Sequence, residues 1–236
     1  MLKMLQPKKT SRQIIEEHLE QLWRTDPKQF DAGRNCREKE RIERTLKLVP
    51  QPENKMIVDA GCGNGEIALY LQNLGATVHA LDCSSVPLSH LQNTSIKTFQ
   101  DCLPKTILND AFYDIVVCTD VLAYLPPQEH RLLMWELSRI VKKDGYIICS
   151  TPLDIDSENP LAIFEALFQT EFEIVESIYS YHAWQIKIRN ALKYLGIPFL
   201  KNNRTFLLAM EHMTKFFKGE KGMSHVICLG KRKSWR

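Results

Sequence analysis

The chain contains 236 residues, of which 44% are hydrophobic and 25% are charged, and its formal net charge is +3. This length supplies one large hydrophobic core and fits one domain with added segments better than two full domains. No apolar run approaches the roughly 20 residues of a membrane-spanning helix, and the first residues lack the pattern of a signal peptide, so we expect a cytoplasmic protein.

Residues 1–52 are predicted to form a helical appendage. Apolar side chains recur at helical spacing in residues 11–24, which predicts one amphipathic helix. A second helix is predicted from about Cys36 to Leu48, where prolines follow. We therefore expect the main domain to occupy residues 53–236.

From residue 55 onward, the pattern alternates strands with helices. The predicted strands are Met56–Ala60, Thr77–Leu81, Ile96–Gln100, Tyr113–Thr119, Tyr146–Ser150, Phe172–Tyr179 and Ser224–Leu229. The predicted helices are Glu66–Leu74, a short helix capped by Ser84 or Ser85, Pro126–Lys143 and Pro160–Phe168. Strands that are apolar throughout and joined by amphipathic helices predict an α/β fold with a mostly parallel sheet covered on both faces.

The seven cysteines are an odd number, and none belongs to a C-x-x-C pair. Cys118, Cys149 and Cys228 lie within apolar, strand-like runs. This usage predicts buried free thiols rather than disulfides or zinc ligands. We expect no metal site.

The most informative stretch is V-D-A-G-C-G-N-G-E, residues 58–66, which follows a strand and opens a helix. Its three glycines allow tight turns and close approach of a ligand to the main chain. Glu66 departs from the dinucleotide pattern G-x-G-x-x-G, and Asp59 precedes the first glycine, so a pyrophosphate is disfavoured. A ligand with a cationic centre and an amino group fits better. S-adenosyl-L-methionine carries both.

The D-A-G-C-G-N-G stretch resembles motif I of the class I S-adenosylmethionine-dependent methyltransferases. Asp82 in V-H-A-L-D, Asp101 after the third strand, F-Y-D-I-V-V-C-T-D-V-L-A-Y-L and V-K-K-D-G-Y-I-I-C-S-T-P resemble later motifs in the same order. The resemblance covers roughly residues 55–180. It implies a Rossmann-like, seven-stranded sheet in the order 3-2-1-4-5-7-6 and S-adenosyl-L-methionine as cofactor.

The resemblance also implies roles for individual residues. Asp82 resembles the acid that bonds the ribose hydroxyls, and Asp101 with the Cys102 amide resembles the pair that holds the adenine. The implied cofactor-binding residues are Asp59, Gly61, Cys62, Gly63, Gly65, Asp82, Cys83, Asp101, Cys102, Thr119 and Asp120. Other interpretations stay open, because Asp82 could be a helix N-cap and Asp120 could either bound the methionine moiety or cap its turn.

No residue pattern identifies a general base. Methyl transfer depends mainly on positioning, and a base is needed only when the acceptor has a high pKa. The candidates are His182, Tyr124 and His130, with His212 and His225 as further histidines; each also has a surface or packing interpretation. Quinone-pathway O-methyltransferases often have a histidine where this chain has Tyr124, so that base does not carry over.

Residues 182–222 form a basic and aromatic insertion on the expected substrate side. They carry eight basic residues and only two acidic ones, although residues 50–181 have 7 basic and 18 acidic side chains. The insertion could be a lid over an aromatic acceptor, a peripheral membrane contact or a nucleic-acid surface, or its aromatic residues could simply pack on the sheet.

The similarity to ubiquinone- and menaquinone-pathway enzymes favours a small-molecule acceptor. O-methylation of a phenolic or lipid-quinone-like compound is the leading hypothesis. An RNA methyltransferase is a first alternative, although residues 125–127, Leu-Pro-Pro, lack the polar and aromatic neighbours of the amino-methylation motif. The second alternative is a non-catalytic cofactor-binding protein with the same fold. The oligomeric state stays open.

Overall fold

The computed structural model describes residues 11–26, 33, 35–154, 157–181 and 203–233. These residues include a seven-stranded sheet with the order β3-β2-β1-β4-β5-β7-β6, which confirms the predicted order. The strands are β1 (Met56–Ala60), β2 (Thr77–Asp82), β3 (Lys97–Gln100), β4 (Tyr113–Thr119), β5 (Val141–Pro152), β6 (Phe172–Ser180) and β7 (His225–Arg232). β1 to β5 pair in parallel, whereas β7 runs antiparallel to both β5 and β6.

Helices surround this sheet. The described helices are α1 (Ser11–Thr25), α2 (Cys36–Leu48), α3 (Glu66–Asn73), α4 (Ser85–Leu88), α5 (His130–Ile140), α6 (Pro160–Phe168) and α7 (Arg204–Lys218). None of these helices has both the length and the apolar character needed to span a bilayer.

Two clusters of buried apolar side chains lie on opposite faces of the sheet. Val116 of β4 belongs to the cluster that includes Leu137 of α5 and Phe168 of α6. Val117, the next residue, belongs to the cluster that includes Leu71 of α3. Because successive strand residues point to opposite faces, β4 is buried on both sides. Each fully buried large apolar side chain contributes roughly 1.5–3 kcal/mol to stability.

The predicted helix from Pro126 to Lys143 is wrong at both ends. Residues Pro127–Glu129 form a separate 3-10 turn, and α5 ends at Ile140. Val141 is extended, fully buried and paired with Tyr113, so it begins β5. A buried β-branched residue fits a strand better than the last turn of a helix, and β5 therefore starts earlier than predicted.

The described part of the basic insertion contains α7, which a 3-10 turn, Gly219–Gly222, separates from β7. Asn203 caps α7, because its side-chain oxygen accepts a hydrogen bond from the amide of Phe206 at 2.9 Å. The sequence did not predict an ordinary crossover helix here. Residues 182–202, and with them His182 and the aromatic Trp184, Tyr194 and Phe199, lie outside the described residues.

Candidate functional site

A cleft lies at the carboxyl ends of the parallel strands, where ligands bind in open α/β sheets. It contains about 1040 Å³ of empty space, counting its open mouth. The predicted site residues that line it are Gly61, Cys62, Gly63, Asp82, Cys83, Asp101, Cys102, Thr119, Asp120 and Tyr124. Asp59 and Gly65 lie outside this lining, although both belong to the glycine-rich stretch.

The backbone of the bend after β1 favours glycine at three positions. Gly61, Gly63 and Gly65 have φ values of +79°, +50° and +74°, in the left-handed region that other residues rarely adopt. A Cβ atom on Gly61 would lie 2.4 Å from Cγ2 of Val121, and one on Gly65 would lie 2.6 Å from a methyl group of Leu91. The main chain of the bend therefore carries no side chains at these positions, and a ligand in the cleft can contact it directly.

Asp82 holds this bend in place. Its Oδ2 accepts a hydrogen bond from the amide of Gly63 at 2.9 Å, and its Oδ1 accepts one from the amide of Ser84 at the same distance. Burial raises the pKa of Asp82, although these amide donors oppose the rise. Ser84, not Asp82, caps α4. A carboxylate has about four lone-pair sites, so Asp82 can still accept bonds from a ligand.

Asp101 marks the far end of the cleft, beside β3. Its oxygens accept hydrogen bonds from the amides of Cys102 at 2.8 Å and Ile107 at 2.7 Å. The guanidinium of Arg12 on α1 pairs with the same carboxylate. Asp101 and Cys102, which the sequence predicted as the pair that holds the adenine, thus both line the cleft.

The helix α1 covers the cleft. Its apolar stripe of Ile15, Leu19 and Trp23 lines the cavity. A Cβ atom on Gly63 would lie 3.2 Å from the Trp23 ring. The sequence predicted the amphipathic helix but not that its apolar face closes over the bend.

Arg41 on α2 is a site residue that the sequence analysis missed. Its Nε donates to Glu38 at 3.0 Å and lies 3.5 Å from Oδ2 of Asp120. Its Nη1 is buried, and no described residue accepts a hydrogen bond from it. A buried guanidinium N–H without an acceptor is costly, so it suits an anionic ligand group. Nothing in the sequence distinguishes Arg41 from the other charged residues of α2, such as Arg44.

Asp120 contacts both Arg41 of α2 and two residues at the ends of β5 and β7. The residue adopts a left-handed conformation with φ of 63°. Its Oδ1 accepts hydrogen bonds from Oγ of Ser150 and Nε2 of His225, both at 2.7 Å. Burial alone would raise its pKa, but the charges of His225 and Arg41 outweigh burial and hold the pKa of Asp120 well below its usual range.

Asp59 is buried behind the bend. Burial raises its pKa to about 7, although the charge of Arg41 and the amide of Ala68 oppose this rise. Its Oδ1 has no partner among the described residues.

The candidate general bases Tyr124, His130 and His212 do not lie together in the cleft. Tyr124 lines the cleft and is 39% exposed, and burial raises its pKa. His130 is not among the residues that line the cleft, and its Nε2 bonds the carbonyl of Leu125 at 3.0 Å. His212 bonds the carbonyl of Leu208 within α7. Among the described residues, no group of His, Cys, Asp and Glu side chains could hold a metal ion.

Comparisons with known proteins agree with this geometry. Residues 30–202 match the family model described as a methyltransferase domain. Ubiquinone biosynthesis O-methyltransferases from Yersinia enterocolitica and Vibrio atlanticus are 30% and 31% identical over 105 and 104 residues. These alignments cover 42% and 41% of this chain and 43% of each relative, so the chain spans less than half the length of the curated relatives it matches.

Solved structures share the fold across nearly the whole chain. Magnesium protoporphyrin IX methyltransferase from Synechocystis, with bound S-adenosylmethionine, has a TM-score of 0.65 at 14% identity and covers 97% of this chain and 100% of its own. The 1,6-didemethyltoxoflavin-N1-methyltransferase from Burkholderia thailandensis has a TM-score of 0.61 at 12% identity, with coverages of 98% and 94%.

Proposed function

This chain belongs to the methyltransferase domain family, whose cofactor is S-adenosyl-L-methionine, and from that premise we propose that it methylates a small molecule at oxygen. The proposed acceptor is a phenolic or lipid-quinone-like compound. The names of the curated relatives support an oxygen acceptor in a quinone pathway. The aromatic and apolar part of the lining at Tyr124 and Leu125 fits such a ring.

The buried Nη1 of Arg41 carries the proposal most directly. The cofactor has a carboxylate and an α-amino group at one end and adenosine at the other. Arg41 would bind the carboxylate, since this residue lines the cleft and its Nη1 has no acceptor among the described residues. The glycine bend admits a ligand against the main chain, and Asp82 and Asp101 would accept hydrogen bonds from the ribose and the adenine.

Other side chains of the cleft would orient the reactants. When bound, the cofactor supplies an electrophilic methyl group on a sulfonium. Ile15, Leu19 and Trp23 of α1 exclude water from the cleft, and Tyr124 borders the space left for the acceptor. Holding two reactants close and in line supplies much of the rate enhancement of such a displacement.

Calorimetric titration with S-adenosylhomocysteine tests the cofactor site. We expect saturable binding by the wild-type chain and an affinity about tenfold lower in Asp82→Asn, which weakens a charged hydrogen-bond acceptor. Asp110→Asn is the matched control, because Asp110 is an exposed carboxylate outside the cleft. Failure of the wild type to bind would refute the proposal.

We also propose that α7 contacts an anionic membrane surface, which would give access to a lipid-like acceptor. Phe216 is 83% exposed, Phe217 62% and Met213 46%. Lys215 and Lys218 accompany these side chains on the same helix. Exposed aromatic residues among lysines suit the interface of an anionic bilayer.

Co-sedimentation with vesicles tests this contact. The wild type should pellet with phosphatidylcholine vesicles that contain phosphatidylglycerol, and less with phosphatidylcholine alone. The double variant Phe216→Ser/Phe217→Ser should stay in the supernatant, whereas Ile163→Ser, which changes an exposed residue on α6, should behave like the wild type. Equal binding by both variants would refute the contact, and salt-sensitive binding to an RNA oligonucleotide instead would favour a nucleic-acid surface.

A further inference from the structure

The acceptor side of the cleft can be located from the order of the strands. Asp101 and Asp82 lie at the ends of β3 and β2, the glycine bend follows β1, and Asp120 follows β4. The next strands along the sheet are β5 and β7. If adenosine lies toward β3 and β2, the acceptor must approach from the side of β4, β5 and β7.

A histidine stands on that side. His225 is the first residue of β7, and its main chain pairs with Pro152 of β5 and Ser180 of β6 at the same edge of the sheet as the cleft. Its side chain is 14% exposed. Its Nε2 lies 2.7 Å from Oδ1 of Asp120, which lines the cleft.

Asp120 fixes which ring nitrogen of His225 is basic. An ionised carboxylate only accepts hydrogen bonds, so Nε2 must carry the proton in this contact. Nδ1 is then the unprotonated nitrogen of the neutral ring. Ser150 donates to the same Oδ1, which holds the carboxylate in place. A carboxylate that orients a histidine in this manner is the usual arrangement for proton transfer.

We infer that His225 accepts the proton of the acceptor hydroxyl, with Asp120 as its positioning residue. This inference rests on the proposed O-methylation. The hydroxyl proton passes to Nδ1 of His225 as the acceptor oxygen forms its bond to the methyl carbon. The carbon–sulfur bond breaks, its electron pair stays on sulfur, and the products are a methyl ether and S-adenosylhomocysteine.

Several charged groups surround this pair and bear on its pH dependence. From α2, Arg41 lies 3.5 Å from Oδ2 of Asp120. Arg44, also on α2, donates to the hydroxyl of Ser180, the β6 residue opposite His225. Glu211 on α7 pairs with Arg44. Among these groups, the Asp120 carboxylate is in direct contact with the ring.

Nuclear magnetic resonance of the full chain tests the required tautomer. With ¹⁵N-labelled histidine, and with His225→Asn to assign the ring, we expect the neutral form of the His225 ring to carry its proton at Nε2. Asp120→Asn should lose this fixed preference, because an amide can also donate to Nε2. A ring protonated at Nδ1 in the wild type would overturn the inference, whatever the acceptor is.

A rate measurement with catechol as the probe acceptor tests the role itself. We expect kcat of His225→Asn to fall by about 10²-fold with its S-adenosylhomocysteine affinity unchanged, and the deficit to shrink as pH rises and the phenol ionises without help. His212→Asn, on the exposed face of α7, is the control. A wild-type pH profile retained in His225→Asn would overturn the inference while leaving the proposed function intact. Cofactor binding without methylation of catechol would instead count against the phenolic acceptor.

Discussion

The two halves of the cleft are built in different ways. The cofactor half, around β1 and β2, consists of main-chain amides and glycines that are close together in the sequence, between Gly61 and Ser84. The acceptor half, around β4, β5 and β7, consists of side chains from distant elements, because Asp120 accepts hydrogen bonds from Ser150 and His225. An ion pair between Asp120 and Arg41 joins this half to the cofactor half. A local backbone motif leaves a clear sequence signature, whereas a network of distant side chains does not.

The largest expected effect comes from damaging the backbone of the cofactor half. Gly61→Ala places a Cβ atom 2.4 Å from Val121 at a φ of +79°, so the bend must move. We expect the affinity for S-adenosylhomocysteine to fall by about 100-fold, measured by calorimetry. Gly219→Ala, at a φ of +54° with open space around it, is the control and should retain binding.

A substitution beside the acceptor half should separate stability from cofactor binding. Glu211 accepts hydrogen bonds from Arg44 at 3.0 and 2.7 Å and from the amide of Tyr181 at 3.1 Å. Glu211→Gln should lower the free energy of unfolding by about 3 kcal/mol in urea titrations, since it leaves a largely buried cation with a weaker partner. Its cofactor affinity should match that of the wild type; a large loss there would show that the two halves are not independent.

The raised pKa of Asp59 should make the free energy of unfolding depend on pH. Its folded pKa of about 7 exceeds the ordinary value, so the folded chain retains a proton that the unfolded chain releases. The free energy of unfolding should therefore decrease as pH rises from about 4 to 7, and Asp59→Asn should remove about 2–3 kcal/mol of that decrease. Urea titrations at several pH values measure this difference, and identical slopes in both proteins would contradict it.

A smaller effect is expected from the cover of the cofactor half. Trp23→Ala removes the ring that packs on Gly63 and should weaken S-adenosylhomocysteine binding by about tenfold in calorimetry. Ile14→Ala changes an exposed residue of the same helix and should have no effect. Equal behaviour of the two variants would show that α1 does not cover the bound cofactor.

Much of the architecture followed from local patterns, but its long-range features did not. Apolar strands predicted the sheet, and the glycine bend with the motifs after it carried the resemblance that implied the strand order, because these signals are contained within a few consecutive residues. The end of α5 was misplaced because Lys142 resembles a helix C-terminal residue, whereas its amine bonds Asp114. Arg41 resembled a solvated helix residue, since its burial depends on a contact with Asp120, far away in the sequence.

The most direct test asks whether Arg41 binds the carboxylate of the cofactor. Calorimetry should compare S-adenosylhomocysteine with 5′-methylthioadenosine, which lacks the amino-acid end, in the wild type, Arg41→Met and the exposed control Lys47→Met on the same helix. We predict that Arg41→Met weakens S-adenosylhomocysteine by about tenfold or more and leaves methylthioadenosine within about twofold. An equal loss for both ligands, or no loss for either, would contradict the assignment of the cleft.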